Sequence, residues 1–144
     1  MAIQFTVIGL DQIGVSFGLA LADYKDKIYR RGHDPVPTRA RKIDPAGAFE
    51  KIHYRLSEAV KDADVVLISL PVDEIESVLK DMAQDLKDGV IVINTSRASE
   101  AASRWAAQYL PSGSHFISMI PAINGKYMQE NSLENQSAHA DLFK

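Results

Sequence analysis

The chain contains no cysteine. That excludes a disulfide framework and thiolate-based metal or redox chemistry. Positive charge is in short supply: 16 Lys and Arg stand against 19 Asp and Glu, a formal net charge of -3. With no basic stripe either, nucleic acid is not an expected partner. Long apolar runs are missing, and the longest fall far short of the roughly 20 residues that cross a bilayer, so no membrane partner is expected. The four histidines, His33, His53, His115 and His139, show no ligand spacing such as H-x-x-x-H, so no metal is expected. The N-terminus runs almost at once into "FTVIGL" and lacks the basic start and small-residue cleavage site of a signal peptide. The expected location is cytoplasmic.

What is present is the material of one ordinary domain. The 144 residues are 46% hydrophobic and 24% charged, enough to bury a core without covalent staples. Apolar runs of strand length alternate with segments of helical period. "IQFTVIGL" is rich in β-branched residues and stops at glycine, so it reads as a first strand. "QIGVSFGLALADY" follows as a helix, with Gly14 and Gly18 on one face where it can lie close to a sheet. "KIYRRGHD" is a second strand ending at Asp34. The proline-rich stretch 35–50 holds at most a short helix, and "KIHY" a short third strand. "LSEAV" is a short helix with Ser57 as its expected cap. "DVVLISL" is a fourth strand stopped by Pro71. "VDEIESVLKDMAQDL" puts Ile75, Val78, Leu79, Met82 and Leu86 on one helical face, acids first and lysines later, as the helix dipole prefers. "DGVIVINTS" reads as a fifth strand buried on both faces. A further helix at 97–111 and a sixth strand, "HFISMIP", complete the pattern. The expected fold is α/β, a doubly wound parallel sheet in three layers, α/β/α. Such sheets bind ligands beyond the carboxyl ends of their strands.

The first strand-to-helix turn is Gly9-Leu10-Asp11-Gln12-Ile13-Gly14. A dinucleotide turn needs a first glycine for the sharp bend, a second so that backbone can approach the pyrophosphate, and a third for close helix packing. Gly9 and Gly14 fill the first and third roles, and Asp11 occupies the second. Asp11 has two readings. It caps the helix, or it stands near the phosphates and weakens their binding. Asp34 lies 20 residues after Gly14, where an acid can take the hydroxyls of an adenosine ribose. That favours NAD over NADP, although Thr38, Arg39 and Arg41 follow closely and could hold a 2'-phosphate.

"VIGLDQIGVSFGLAL", "GHDP", "DADVVLISLPVDEIESVL", "LKDGVIVINTSR" and "FISMIPAING" run in the order and spacing of the prephenate dehydrogenase family's nucleotide-binding domain, which the chain resembles over nearly its whole length. The resemblance implies a Rossmann-type domain at 1–125 and a dinucleotide partner, NAD or NADP. It also implies hydride transfer with oxidative decarboxylation of prephenate or arogenate toward tyrosine. It places Leu70 and Pro71 against the dinucleotide and Ser96 beside it, where the family has a serine supporting the substrate hydroxyl. Ser96 is also a candidate helix cap. Arg97 could attract a small anionic substrate.

Two departures qualify that expectation. The family carries a proton-accepting histidine just before the proline that follows the sixth strand; here Ile120 precedes Pro121. General-base help is worth about 10²- to 10⁴-fold. His115 opens the same strand and is expected at the opposite end of the sheet. The family also adds a helical domain that dimerises, and here residues 126–144 are a polar segment. The expectation is a piece of a longer product or a stand-alone domain, with Phe143 poorly buried and a homodimer as an expected partner. Rival readings are a non-catalytic dinucleotide-sensing domain and an interaction domain whose nucleotide site is closed.

Overall fold

Six short strands lie side by side in the order β3-β2-β1-β4-β5-β6, every neighbouring pair parallel. The computed structural model describes residues 1–43, 47–127 and 137–144. The strands are β1 (Ile3–Ile8), β2 (Ile28–His33), β3 (Lys51–Ile52), β4 (Val65–Ile68), β5 (Ile91–Asn94) and β6 (His115–Ser118). Between them run α1 (Gln12–Ala20), α2 (Pro37–Ile43), α3 (Leu56–Val60), α4 (Val72–Met82) and α5 (Ser99–Tyr109). The strand order steps outward from β1 in both directions, so the ligand crevice of such a sheet falls beside the carboxyl ends of β1 and β4.

Alternation along the strands splits the core into two faces. Val7 and Leu67 join Val15 of α1 and Ala40 of α2 on one face. Ile8, Val66 and Ile68 join Val60 of α3 and the Ile75, Val78, Leu79 and Met82 stripe of α4 on the other. The helical stripe legible in the sequence is thus the buried face of α4, with Asp73 and Glu74 in its first turn. The three-layer Rossmann-type arrangement is as expected.

Several local expectations are corrected. The first helix is α-helical only to Ala20 and then tightens into a 3₁₀ turn over Leu21–Tyr24. Ser57 caps nothing: Arg55 holds the cap position of α3 without a side-chain bond. The fifth strand is not buried on both faces. Val92 is buried beneath α4 and α5, whereas Ile91 and Ile93 are half-buried on the side of α1. The sixth strand ends at Ser118, and its Ile117 is 51% exposed on that same side. Gly18 faces not the sheet but the Ala48 carbonyl and the Phe49 ring.

Phe143 is not poorly buried. Its ring packs on Phe17 with centroids 4.4 Å apart, and Leu142 beside it is fully buried. The segment is tied down by the Asn124 N–H donating to the Leu142 carbonyl (2.6 Å) and the His139 N–H donating to Ser16 Oγ (3.0 Å). Asp141 accepts from the Tyr127 hydroxyl at 2.5 Å and pairs with Lys126. Residues 128–136 of the expected polar segment lie outside the described residues. Among the described residues no helix is long and apolar enough to cross a membrane.

Candidate functional site

Gly9 leaves β1 with φ +102, in the left-handed region that glycine alone enters freely. The turn needs a glycine there for a second reason. A Cβ at Gly9 would stand 1.9 Å from the Ser69 carbonyl oxygen, because β4 ends against the turn. Gly14 repeats the logic one helical turn on: its Cβ would stand 1.9 Å from the Gly9 carbonyl oxygen. The first and third glycines therefore let α1 press its N-terminus onto the end of β1.

Asp11 caps α1. Its Oδ1 accepts the Gly14 N–H and the Ser69 hydroxyl, each at 2.8 Å. The carboxylate thus turns back onto the helix and across to β4, and the capping reading of the sequence holds. Asp11 is exposed as a residue, but desolvation of its carboxyl against α1 and β4 raises its pKa above the ordinary 3.8; the Gly14 and Ser69 bonds oppose that shift, and the nearby Asp34 charge adds to it.

Asp34 is the second anchor of the turn. Its side chain is fully buried. One oxygen accepts the Leu10 N–H and the other the Val36 N–H, both at 2.8 Å. The acid at the end of β2 thus joins the β1–α1 turn to the start of α2. Arg39 of α2 stands 3.6 Å from it, so this arginine is a partner of Asp34.

Leu10 and Leu70 are buried, and Pro71 is exposed at the cap position of α4. Ile13 is half-buried in the first turn of α1, and the Gln12 side-chain amide donates to the Ser137 carbonyl at 3.0 Å. A cavity of about 510 Å³ opens here, lined by Leu10, Asp11, Gln12, Ile43, Ser137 and Ala138 among others. One wall of the cavity beside the Gly9–Gly14 turn is therefore built from the C-terminal segment.

Ser96 lies beyond β5. Thr95 donates both its N–H (3.1 Å) and its hydroxyl (2.8 Å) to the Ile68 carbonyl, holding this loop against the end of β4. The Ser96 N–H donates to Asn94 Oδ1 at 3.0 Å, and its hydroxyl oxygen is buried with no partner among the described residues. It does not cap α5, whose cap position is Ala98. Asn94 is fully buried and donates to the Ser118 hydroxyl and the Ser96 carbonyl.

The structure thus places two bonded sets at one turn, Asp11 with Gly14 and Ser69, and Asp34 with Leu10 and Val36, while the Gly9 N–H donates to the His33 carbonyl and Ser96 lies beyond β5, two strands from β1. His115 opens β6 opposite Ile91, at the far end of the strand from Ser118. Ile120, where the resemblance asks for a base, is 67% exposed. The residue that sequence reasoning missed is Ser69. Its only signal was a hydroxyl just before Leu70-Pro71. Among the described residues no group of three or more metal-ligating side chains occurs.

The family of the prephenate dehydrogenase nucleotide-binding domain matches residues 17–138. The match begins after the Gly9–Gly14 turn, so the turn is an independent observation. The prephenate dehydrogenase of A. aeolicus, solved with hydroxyphenyl propionate and NAD+, superposes with a TM-score of 0.74 at 14% identity, over 100% of this chain and 48% of that one. The Synechocystis arogenate dehydrogenase gives a TM-score of 0.70 at 24% identity, over 85% and 42%. An imine reductase from Bacillus cereus BAG3X2 gives 0.63 at 21% identity, over 80% and 39%. The chain thus spans less than half the length of these structures, and they share its fold. No relative among curated proteins matches its sequence.

Proposed function

The chain belongs to the prephenate dehydrogenase nucleotide-binding domain family, and from that premise we propose that it holds a nicotinamide dinucleotide for a prephenate- or arogenate-oxidising dehydrogenase. The observation that carries this reading is the turn itself. Gly9 and Gly14 clear the space that lets α1 present its N-terminal N–H groups beyond β1, where a pyrophosphate gains from both the donors and the helix dipole. The adenosine end would lie beside Asp34 and Arg39. Leu70, Pro71 and Ser96 would line the path toward the nicotinamide, where the unpartnered Ser96 hydroxyl has a bond to give.

A bound dinucleotide would supply the hydride acceptor. The residues of this chain bind and orient it; Ile120 cannot accept a proton. That side chain supports a second reading, a dinucleotide sensor without hydride transfer. NAD is preferred to NADP on the charge of Asp34, and Arg97, exposed after β5, could draw in a small anionic substrate. A cytoplasmic homodimer completes the proposal, and the exposed Ile117, Ile120 and Ile123 support such association.

Calorimetric titration with NAD, NADH, NADP and NADPH at low salt tests it, with Asp34→Asn alongside. The expected result is saturable binding of one oxidised–reduced pair, weakened by the substitution. Absence of binding to all four, on folded protein, would overturn the reading and leave an interaction domain with a closed turn.

A further inference from the structure

On the face of the sheet that packs α3, away from α1, the strand register sets Thr6, Arg31 and Lys51 in one row. Thr6 bonds to the Ala59 carbonyl of α3, so this row lies under that helix. Arg31 is 8% exposed, a buried guanidinium in the middle of β2. Its Nη1 donates to the Glu58 carbonyl at 3.4 Å, while Nε and Nη2 have no partner among the described residues. A cavity of about 660 Å³ lies against it, lined by Gln4, Lys51, His53, Glu58, Lys61 and Asp62.

Two features give this cavity a chemistry. The Nε and Nη2 donors form one edge of a planar fork, the edge that grips two oxygens of a single oxyanion. Leaving both donors of a buried cation unmade is costly, and an incoming acceptor removes that cost. The charges lining the cavity then add Lys51 and Lys61 to Arg31, against Glu58 and Asp62, an excess of one positive charge with His53 neutral; Asp64, whose charge also acts on Arg31, is paired with Lys87. His53 reads the same field: burial, then the Arg31 and Lys51 charges, lower its pKa, while Glu58 at 3.8 Å opposes them. A bound anion would reverse the effect of the two cations.

We propose that this cavity is a second binding site, for a small phosphate-class oxyanion gripped by the Nε–Nη2 edge of Arg31 and flanked by Lys51, Lys61 and His53. It is separate from the dinucleotide turn, which lies beyond the carboxyl ends of β1 and β4. The two guanidinium nitrogens are shut from solvent. Binding therefore requires a side-chain movement in the lining, of which Lys51, Lys61 and Asp62 are exposed members.

The test is titration of the full chain with inorganic phosphate at constant ionic strength, chloride being the balancing anion, followed by amide and histidine-ring NMR. Saturable shifts at Arg31, Lys51, His53 and Lys61, with an upward move in the His53 titration, are expected. Arg31→Lys keeps the charge and loses the fork, and should weaken phosphate about tenfold. Because Arg31 is buried, the surface pair Lys51→Gln with Lys61→Gln provides an independent arm and should weaken it similarly. Shifts confined to Gly9–Gly14, no saturable shift, or affinity unchanged in the surface double variant would each overturn the proposal.

Discussion

The hydroxyl of Ser69 donates to the carboxylate of Asp11 across 2.8 Å, and so ties the end of β4 to the first turn of α1. The non-glycine residue in the middle of the turn thus has a structural role: it caps the helix and is held from the neighbouring strand.

That contact separates the two effects of Asp11. A carboxylate about 5 Å from a phosphate charge costs about 3 kcal/mol at an effective dielectric near 20. The Gly14 and Ser69 bonds draw off part of that charge. Asp11→Asn retains an acceptor for both and is expected to tighten dinucleotide binding about tenfold, by about 1.4 kcal/mol. Asp11→Ala should lose about 1 kcal/mol of stability through the lost cap. Calorimetry and urea unfolding of the two variants check this; equal affinity in wild type and Asp11→Asn would show that the carboxylate does not face the phosphates.

The raised pKa of Asp11 gives that variant a pH signature. A carboxyl whose folded value exceeds its unfolded value, near 3.8, favours the fold most below the unfolded value. The contribution is lost as pH rises through the folded value. Asp11→Asn should therefore gain in stability relative to wild type as pH rises through that window and hold a constant offset near neutrality. Unfolding midpoints measured from pH 3 to pH 7 would reveal a flat difference if burial did not penalise the charge.

Gly9→Ala meets both a left-handed φ and the Ser69 carbonyl. It should destabilise by about 3 kcal/mol or more. Gly125 has no atom within 4 Å of its added Cβ, so Gly125→Ala should change stability by less than about 0.5 kcal/mol. Denaturant midpoints of the pair decide it. A mild Gly9→Ala would mean that β4 withdraws from the turn without strain.

Removing the Asp34 carboxylate leaves the Leu10 and Val36 N–H groups without acceptors. Asp34→Ala should cost about 2–5 kcal/mol, and Asp34→Asn about half of that, since one acceptor oxygen survives. Wild-type stability in Asp34→Ala would show that the acid does not fasten the turn to β2. Binding can then be read on Asp34→Asn.

The C-terminal segment has its own titration. The bonds from Lys126 and then Tyr127 lower the Asp141 pKa from 3.8 to about 2. A carboxyl depressed by folding stabilises above its unfolded value, and the contribution is lost as pH falls through the folded one. Between about pH 4 and pH 2 the segment should loosen from Lys126 and Tyr127. The Tyr127 and Phe143 ring resonances report it, and Asp141→Asn should remove the transition. Unchanged spectra through that range in wild type would rule out the ion pair as the fastening.

Much of the site was legible because its logic is local. Gly9, Gly14 and Asp34 stand at fixed offsets from two strands, the spacing that a strand–turn–helix unit gives. The α4 stripe declared itself by its period. What stayed hidden depends on packing between distant segments. Asp11 offered two readings because its partner, Ser69, is 58 residues away. Phe143 read as an orphan aromatic because nothing near it in sequence names Phe17. The half-buried face of β5 was invisible for a related reason: "VIVI" states how apolar a strand is, not whether a helix lies over each side.

The bond from His139 to Ser16 spans 123 positions of sequence, and Ser137 and Ala138 wall the cavity at the Gly9 turn. A chain emerging vectorially from the ribosome completes β1, the turn and α1 early. At that stage the turn has its glycines and its cap but only part of its enclosure. The segment that finishes the cavity emerges long afterwards, after even the last strand, β6, so formation of the turn and enclosure of the cavity beside it are separated in time during synthesis.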